Sequence, residues 1–140
     1  MLVIDATNAI CGRLSAYCAK QSLKGEKVIV LNAEKIVISG NPKEITLVYS
    51  KRRGIQYKAD PEKSAKWPRR PDLLFKRIIR GMLPKHSPRG KAALERIMVY
   101  LGEPEHAEAK KPFTNTSDAL GKNFISFQQL CKNLGWSPKI

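Results

Sequence analysis

The order of apolar and polar residues along the chain predicts strands that alternate with helices. Runs of consecutive apolar, largely β-branched residues are typical of buried strands and occur at 2–4, 28–31, 36–38 and 97–101. The stretches between them predict helices over 12–24, 43–53, 72–83 and 90–96, with a short last helix over 127–134 that Ser126 could cap. Strands without polar alternation are buried on both faces. The pattern therefore predicts an α/β fold, a three-layer α/β/α arrangement with a small, mostly parallel sheet of about four strands and with basic helices and loops on one side.

The chain is expected to form one domain over residues 1–140. Its length of 140 residues suits a single hydrophobic core, and its 42% share of hydrophobic residues argues against wholesale disorder. Residues 102–121 have the composition of a loop. We expect residues 113–140 to be a C-terminal extension that packs on this domain.

The helix expected over 72–83 separates its apolar and basic residues most clearly. At about 100° per residue, one broad face carries Leu74, Phe75, Ile78, Ile79, Met82 and Leu83. The opposite arc carries Lys76, Arg77 and Arg80. The apolar face should anchor the helix on the core, so that the three cations point outward although their repulsion weakens the helix. This arrangement favours an anionic partner.

Basic residues are concentrated in one third of the chain. The whole chain has 26 Lys and Arg residues against 12 Asp and Glu residues, which gives a formal net charge of +14. The stretch from Lys51 to Arg96, here called the basic segment, contains fifteen basic and four acidic residues and so has a net charge of +11. Such a surface favours polyanions, which leaves RNA, DNA and anionic membranes as candidate partners.

Two of these three partners are disfavoured by other features of the sequence. No apolar run approaches the roughly 20 residues that a membrane-spanning helix needs. The start Met1–Asp5 lacks the basic region of a signal peptide, so we expect no membrane partner. No helix-turn-helix, zinc finger or other reader of duplex DNA is recognisable. An irregular basic surface built from several loops suits folded RNA.

The candidate RNA-binding residues lie in the loops and helices of the basic segment. Arginine can donate two hydrogen bonds to one phosphate, and lysine supplies a point charge. Trp67 lies between basic residues and could stack on an unpaired base, or it could equally cover its own loop against the core. The residues predicted to bind RNA are Arg52, Arg53, Lys66, Trp67, Arg69, Arg70, Lys76, Arg77, Arg80, Lys85, His86, Arg89 and Lys91.

The sequence predicts no catalytic residue, no metal site, no cofactor and no small-molecule substrate. The two histidines, His86 and His106, are twenty residues apart, and the acidic residues do not cluster as a metal-dependent nuclease requires. One alternative is an RNA- or nucleotide-processing enzyme that uses the loop Asp5–Gly12, because a strand-to-helix junction is where many proteins hold phosphate. Another alternative is a regulatory RNA-binding protein that acts free of any particle.

The three cysteines indicate reduced thiols. They are an odd number and form no C-x-x-C pair, at Cys11, Cys18 and Cys131. This usage suits a cytosolic protein with buried thiols better than a disulfide framework or a zinc site.

Ordered runs of residues along most of positions 2–112 match a known protein family. These runs are Val3-Ile-Asp-Ala-Thr7, Gly12-Arg-Leu-Ser-Ala16, Val28-Ile-Val-Leu-Asn-Ala-Glu-Lys-Ile36 with Ser39-Gly-Asn41, Arg80-Gly-Met-Leu-Pro-Lys85, and Arg89-Gly90 leading to Val99-Tyr-Leu-Gly102. In them the chain closely resembles the universal L-thirteen family of large-subunit ribosomal proteins.

The resemblance implies an α/β/α fold and a cytoplasmic place in the large ribosomal subunit. It implies binding to large-subunit ribosomal RNA and to neighbouring ribosomal proteins, with a role in scaffolding and assembly rather than chemistry. The basic positions of the family carry over to Arg80, Lys85 and Arg89.

Two departures from the bacterial members make the chain look archaeal. Residues 25–27 lead directly into Val28, where bacterial members carry an insertion, and the chain continues beyond Pro112, where bacterial members end. The His-x-His pair of bacterial members is reduced to His106.

Overall fold

The computed structural model describes residues 1–104, 111–114, 116–121 and 123–138. The strands in these ranges are β1 (Leu2–Asp5), β2 (Val28–Leu31), β3 (Val37–Ser39), β4 (Ile97–Val99), β5 (Lys111–Pro112) and β6 (Phe124–Ser126). The helices are α1 (Cys11–Leu23), α2 (Pro42–Gly54), α3 (Pro71–Met82), α4 (Pro88–Glu95) and α5 (Phe127–Asn133). Short 3₁₀ turns occur at Ala33–Lys35, Pro61–Lys63 and Ser117–Leu120.

A four-stranded sheet in the order β4-β2-β1-β5 forms the centre of the fold, and each neighbouring pair in it is parallel. Leu2 of β1 lies opposite Val28 of β2, which in turn lies opposite Ile97 of β4. Val28, Val30 and Leu31 are fully buried, as expected for a strand covered on both faces. The α/β/α fold with a small, mostly parallel sheet is confirmed.

The strand expected at 36–38 forms, but it lies outside the central sheet. It is β3, and it pairs antiparallel with β6, with Ile38 opposite Ile125. The fourth strand of the central sheet is instead β5, which lies in the stretch expected to be a loop. The chain turns away after β2 because Asn32 adopts a left-handed conformation, with φ at 56°, and a 3₁₀ turn follows it. Asparagine tolerates this conformation better than most residues.

Helices α1 and α3 bury their apolar faces against each other and against the sheet. α1 packs against α3 and α4. In α3 the expected core residues Leu74, Phe75 and Ile79 are fully buried. The sequence predicts Met82 on the same buried face, and this prediction is wrong, since Met82 is 45% exposed. The helix ends at Met82, and the next residue, Leu83, takes the buried position instead.

The last helix belongs to the same hydrophobic cluster as α3. Phe127 and Leu130 are fully buried, and the rings of Phe75 and Phe127 meet edge to face with their centroids 6.2 Å apart. Ser126 caps this helix as predicted, because its Oγ accepts a hydrogen bond from the Gln129 N–H at 3.3 Å. The short helix is therefore held by both its cap and its apolar face.

The three cysteines are buried and free of disulfides, as the sequence predicts, and burial raises the pKa of each thiol from 9.0 to about 12. Because the thiol pKa is higher in the folded state than in the unfolded state, the protonated thiols favour the folded state below about pH 9. This contribution to stability is lost as the pH rises from about 9 to about 12. We expect the free energy of unfolding to fall over this pH window in denaturant titrations.

We also expect an aromatic disulfide reagent to modify the native thiols only slowly near neutral pH, and rapid modification would contradict the burial.

Candidate nucleic-acid interface

The basic segment runs through the end of α2, the whole of α3 and α4, and the loops between them. No residue of α2 is buried, whereas α3 is anchored on the core by Leu74, Phe75 and Ile79. Because its apolar face is fixed, α3 holds the two basic loops on either side, residues 55–70 and 83–87, in defined places.

Trp67 is the centre of a group of arginines from the helices α2 and α3. The guanidinium carbon of Arg52, on α2, lies 5.1 Å from the centroid of the Trp67 ring, and that of Arg77, on α3, lies 4.8 Å from it. Arg53 Nη1 donates a hydrogen bond of 2.6 Å to the Trp67 carbonyl oxygen. The ring of Tyr49 meets Trp67 edge to face at 5.9 Å. Trp67 itself is half-buried and packs against the core cluster, so it does cover its own loop.

The charges in this group are all of one sign. Burial lowers the pKa of Arg53 below its ordinary value, and the nearby charge of Arg69 lowers it further. No carboxylate in the described part of the chain lies within 4.0 Å of the guanidinium of Arg52, Arg53, Arg69 or Arg77. This group, here called the Trp67 arginine cluster, consists of Trp67 with Arg52, Arg53, Arg69 and Arg77. Within the described structure, no acidic side chain neutralises its positive charge.

Arg70 differs from these arginines because it has a carboxylate partner. Its Nε and Nη2 donate to the two carboxylate oxygens of Asp72 at 3.2 and 2.7 Å. Asp72 lies in the first turn of α3, where a negative charge is favourable. Because Asp72 neutralises the charge of Arg70 locally, Arg70 is a weaker candidate for binding a phosphate than the other arginines.

A second group of cations surrounds the start of α4. Ser87 caps this helix, because its Oγ accepts a hydrogen bond from the Arg89 N–H at 3.2 Å. Ser87 N–H in turn donates to the Pro84 carbonyl oxygen at 3.3 Å, which folds the loop back on the helix. The exposed side chains presented here are Lys85, His86, Arg89 and Lys91.

Gly90 has a different role from the one that its basic surroundings suggest. The sequence indicates that Gly81, Gly90 and the prolines near them let the backbone approach a phosphate closely or set a fixed bend. In the structure Gly90 is buried against the Pro84 carbonyl group, and a Cβ atom built there would lie 2.8 Å from the Pro84 carbonyl carbon. Gly81 is exposed and has nothing within 4 Å of such an atom. The missing side chain at Gly90 therefore allows the loop 83–87, which carries Lys85 and His86, to pack closely against α4.

The remaining candidate cations are not members of the two groups, although Lys66 lines a depression together with Arg53 and Trp67. Lys66 is exposed in the loop before Trp67, and Arg80 is exposed on α3. Lys76 is half-buried on α3, where it lines a shallow depression beside β4. All thirteen residues predicted to bind RNA are in the described part of the chain, and the structure brings nine of them into these two groups.

The loop Asp5–Gly12 is a structural brace. Asp5 Oδ1 accepts hydrogen bonds from Thr7 N–H at 3.0 Å, Thr7 Oγ1 at 2.7 Å and Asn32 Nδ2 at 3.0 Å. Asn32 Nδ2 also donates to Glu103 Oε1 at 3.1 Å. These bonds tie together the ends of three strands of the central sheet. The sequence reasoning missed Asn32, although an asparagine directly after a buried strand is a usable signal for a left-handed turn.

The described ranges contain no group of three or more His, Cys, Asp and Glu side chains placed to hold a metal ion. His106 lies outside these ranges. Within them, no helix has both the length and the apolar character to cross a membrane. An α/β fold that presents a cationic surface of this kind is typical of the class of polyanion-binding proteins.

Comparison with known proteins gives the family. Residues 1–106 match the family described as Ribosomal protein L13. The large ribosomal subunit protein uL13 of Methanocaldococcus jannaschii is 38% identical over 136 residues, which cover 96% of this chain and 98% of that protein. The uL13 protein of Natronomonas pharaonis is 38% identical over 135 residues, 96% of this chain and 90% of that protein. The uL13 protein of Methanopyrus kandleri is 46% identical over 106 residues, 76% of this chain and 65% of that protein.

The chain belongs to the ribosomal protein L13 family. The three relatives are archaeal, in agreement with the prediction from the sequence.

Proposed function

We propose that this chain is a structural component of the large ribosomal subunit that binds folded large-subunit ribosomal RNA and has no catalytic role. The observation that carries this proposal is the net charge of +11 over the basic segment of a chain in a ribosomal protein family. Its partners are that RNA and neighbouring large-subunit proteins, and its location is that of the cytoplasmic ribosome.

The two groups of cations suit folded RNA better than a regular duplex. They come from a helix end, an anchored helix and two loops, so their charges do not follow a single line. Folded RNA presents phosphates from several directions, which such a surface can contact at once. The proposed contact residues are the Trp67 arginine cluster with Lys66, Lys76 and Arg80, and the group Lys85, His86, Arg89 and Lys91, with Arg70 a weaker candidate because of Asp72.

We also propose that residues 1–140 are one domain and that residues 113–140 are an integral part of it. Supporting this, β6 pairs with β3, and Phe127, Leu130 and Cys131 share one hydrophobic cluster with Phe75. Residues that share a core unfold together in a small domain.

The binding proposal is tested by titrating the protein with a fragment of large-subunit ribosomal RNA at several salt concentrations. Each phosphate that the protein neutralises should steepen the slope of log K against log[salt] by roughly 0.7–0.9. Reversing two exposed cations with Arg80→Glu and Arg89→Glu is expected to lower the affinity at least about tenfold at about 0.1 M salt.

The matched control reverses the same number of charges outside the basic segment. Lys24→Glu with Lys27→Glu changes the net charge equally at two exposed positions, and we expect only a small loss of affinity. A slope near zero for the unaltered protein, or an equal loss in both double variants, would contradict the proposal.

A further inference from the structure

The Trp67 arginine cluster is held together in spite of its own charge. Like charges at close range repel, and here the repulsion is offset by contacts with one indole group. Each guanidinium group is attracted to the electron-rich face of the aromatic ring it lies on, and Arg52 has two such contacts, since it also lies 5.1 Å from the centroid of the Tyr49 ring. The cluster is therefore positioned by the protein before any ligand binds.

The spacing within the cluster suits neighbouring phosphates. Because the guanidinium carbons of Arg52 and Arg77 each lie about 5 Å from the same ring centroid, they are less than about 10 Å apart. Arg53 is fixed by its hydrogen bond to the Trp67 carbonyl group. The charge of Arg69 is close enough to lower the pKa of Arg53. The guanidinium groups of Arg52, Arg53 and Arg77 thus converge on Trp67 from α2 and α3, with the charge of Arg69 nearby.

We propose that the Trp67 arginine cluster is a preorganised site for adjacent phosphodiester groups of folded RNA, in which Trp67 is a positioning residue and does not stack on a base. This inference rests on the proposed function and assigns the chemistry of one part of its surface. Trp67 is half-buried, meets Tyr49 at its edge and already holds two guanidinium groups. A base that stacked on this ring would compete with the arginines for it.

The two possible roles of Trp67 differ in the salt dependence of RNA binding. A stacked base contributes affinity without releasing counterions, whereas an arginine on a phosphate does release them. Trp67→Leu is therefore expected to lower the affinity about tenfold and also to make the slope of log K against log[salt] shallower by roughly 0.7–1.8, which corresponds to one or two phosphates.

A double-mutant cycle tests whether Trp67 acts through the arginines. Arg52→Gln with Arg77→Gln is expected to reduce the slope by roughly 1.4–1.8. Adding Trp67→Leu to this variant should then have little further effect, because contacts that act as a unit are not additive. Trp67→Phe keeps an aromatic ring and should retain most of the slope. Trp67→Met, which also removes the ring, replaces Trp67→Leu in the experiment if that variant does not fold.

The outcomes separate this inference from the proposed function. If the unaltered protein binds the RNA with a slope near zero, the proposed function fails. If it binds with a steep slope, but Trp67→Leu lowers the affinity at unchanged slope, Trp67 stacks on a base and the inference is overturned. Unchanged affinity and slope in Arg52→Gln with Arg77→Gln would also overturn it, while leaving RNA binding by the second group intact.

Discussion

Replacing Phe127 with alanine is expected to lower the free energy of unfolding by about 4 kcal/mol, in the middle of the range for a buried phenylalanine. The side chain is fully buried, and its ring meets that of Phe75 at 6.2 Å. The Phe127 N–H donates to the Ile36 carbonyl oxygen at 2.7 Å, so the backbone is fixed and cannot easily move to fill the cavity. Urea unfolding followed by circular dichroism measures the change.

This variant also tests whether residues 113–140 are part of one domain. If they were an independent appendage, the loss of Phe127 would leave the unfolding of the remaining chain unchanged. Gln128→Ala is the matched control, because Gln128 is the exposed neighbour on the same helix and its replacement should change stability by less than about 0.5 kcal/mol. A loss below about 1 kcal/mol for Phe127→Ala would refute the integral role of the extension.

Replacing Gly90 with alanine is expected to destabilise the protein by about 2–3 kcal/mol, the typical cost of overpacking. Alanine is the better helix former by about 1 kcal/mol, so propensity alone predicts the opposite sign. The clash decides, because the added Cβ would lie 2.8 Å from the Pro84 carbonyl carbon, which is backbone and cannot rotate away. The loop that presents Lys85 and His86 must shift, so we also expect weaker RNA binding.

Gly81→Ala is the same substitution at a helical position where nothing lies within 4 Å of the added atom. It should leave stability unchanged or raise it by up to about 0.5–1 kcal/mol. Opposite signs for the two variants in thermal or urea unfolding are the expected result. A Gly90→Ala variant as stable as Gly81→Ala would show that the Pro84 contact is not restrictive.

Most helices and strands could be predicted because their signals are local. The apolar face of α3, the cap at Ser126 and the buried run at β2 are each visible within about a dozen residues. The two missed strands, β5 and β6, are only two and three residues long and form through pairing with distant strands. Their short sequences carry too little periodicity to reveal a partner far along the chain.

The candidate site was predictable as a list of charges but not as an arrangement. The positions of the charged residues along the chain identify the basic segment, because the net charge of a segment does not depend on the fold. It does not distinguish Arg70, which Asp72 engages, from Arg52 and Arg77, which converge on Trp67. The contacts of Arg52 and Arg77 with Trp67 join side chains from separate elements, so they exist only once α2 and α3 have docked.

The sequence by itself determined the α/β class, the basic segment and the family, since each follows from local patterns, summed charge or ordered motifs. Only the tertiary structure decided that β3 leaves the central sheet and that Gly90 serves the Pro84 loop. It also decided that Trp67 holds arginines. The physical reason is the same in each case: these features depend on the direction of the backbone and on which atoms packing brings together, and the local pattern of residues sets neither.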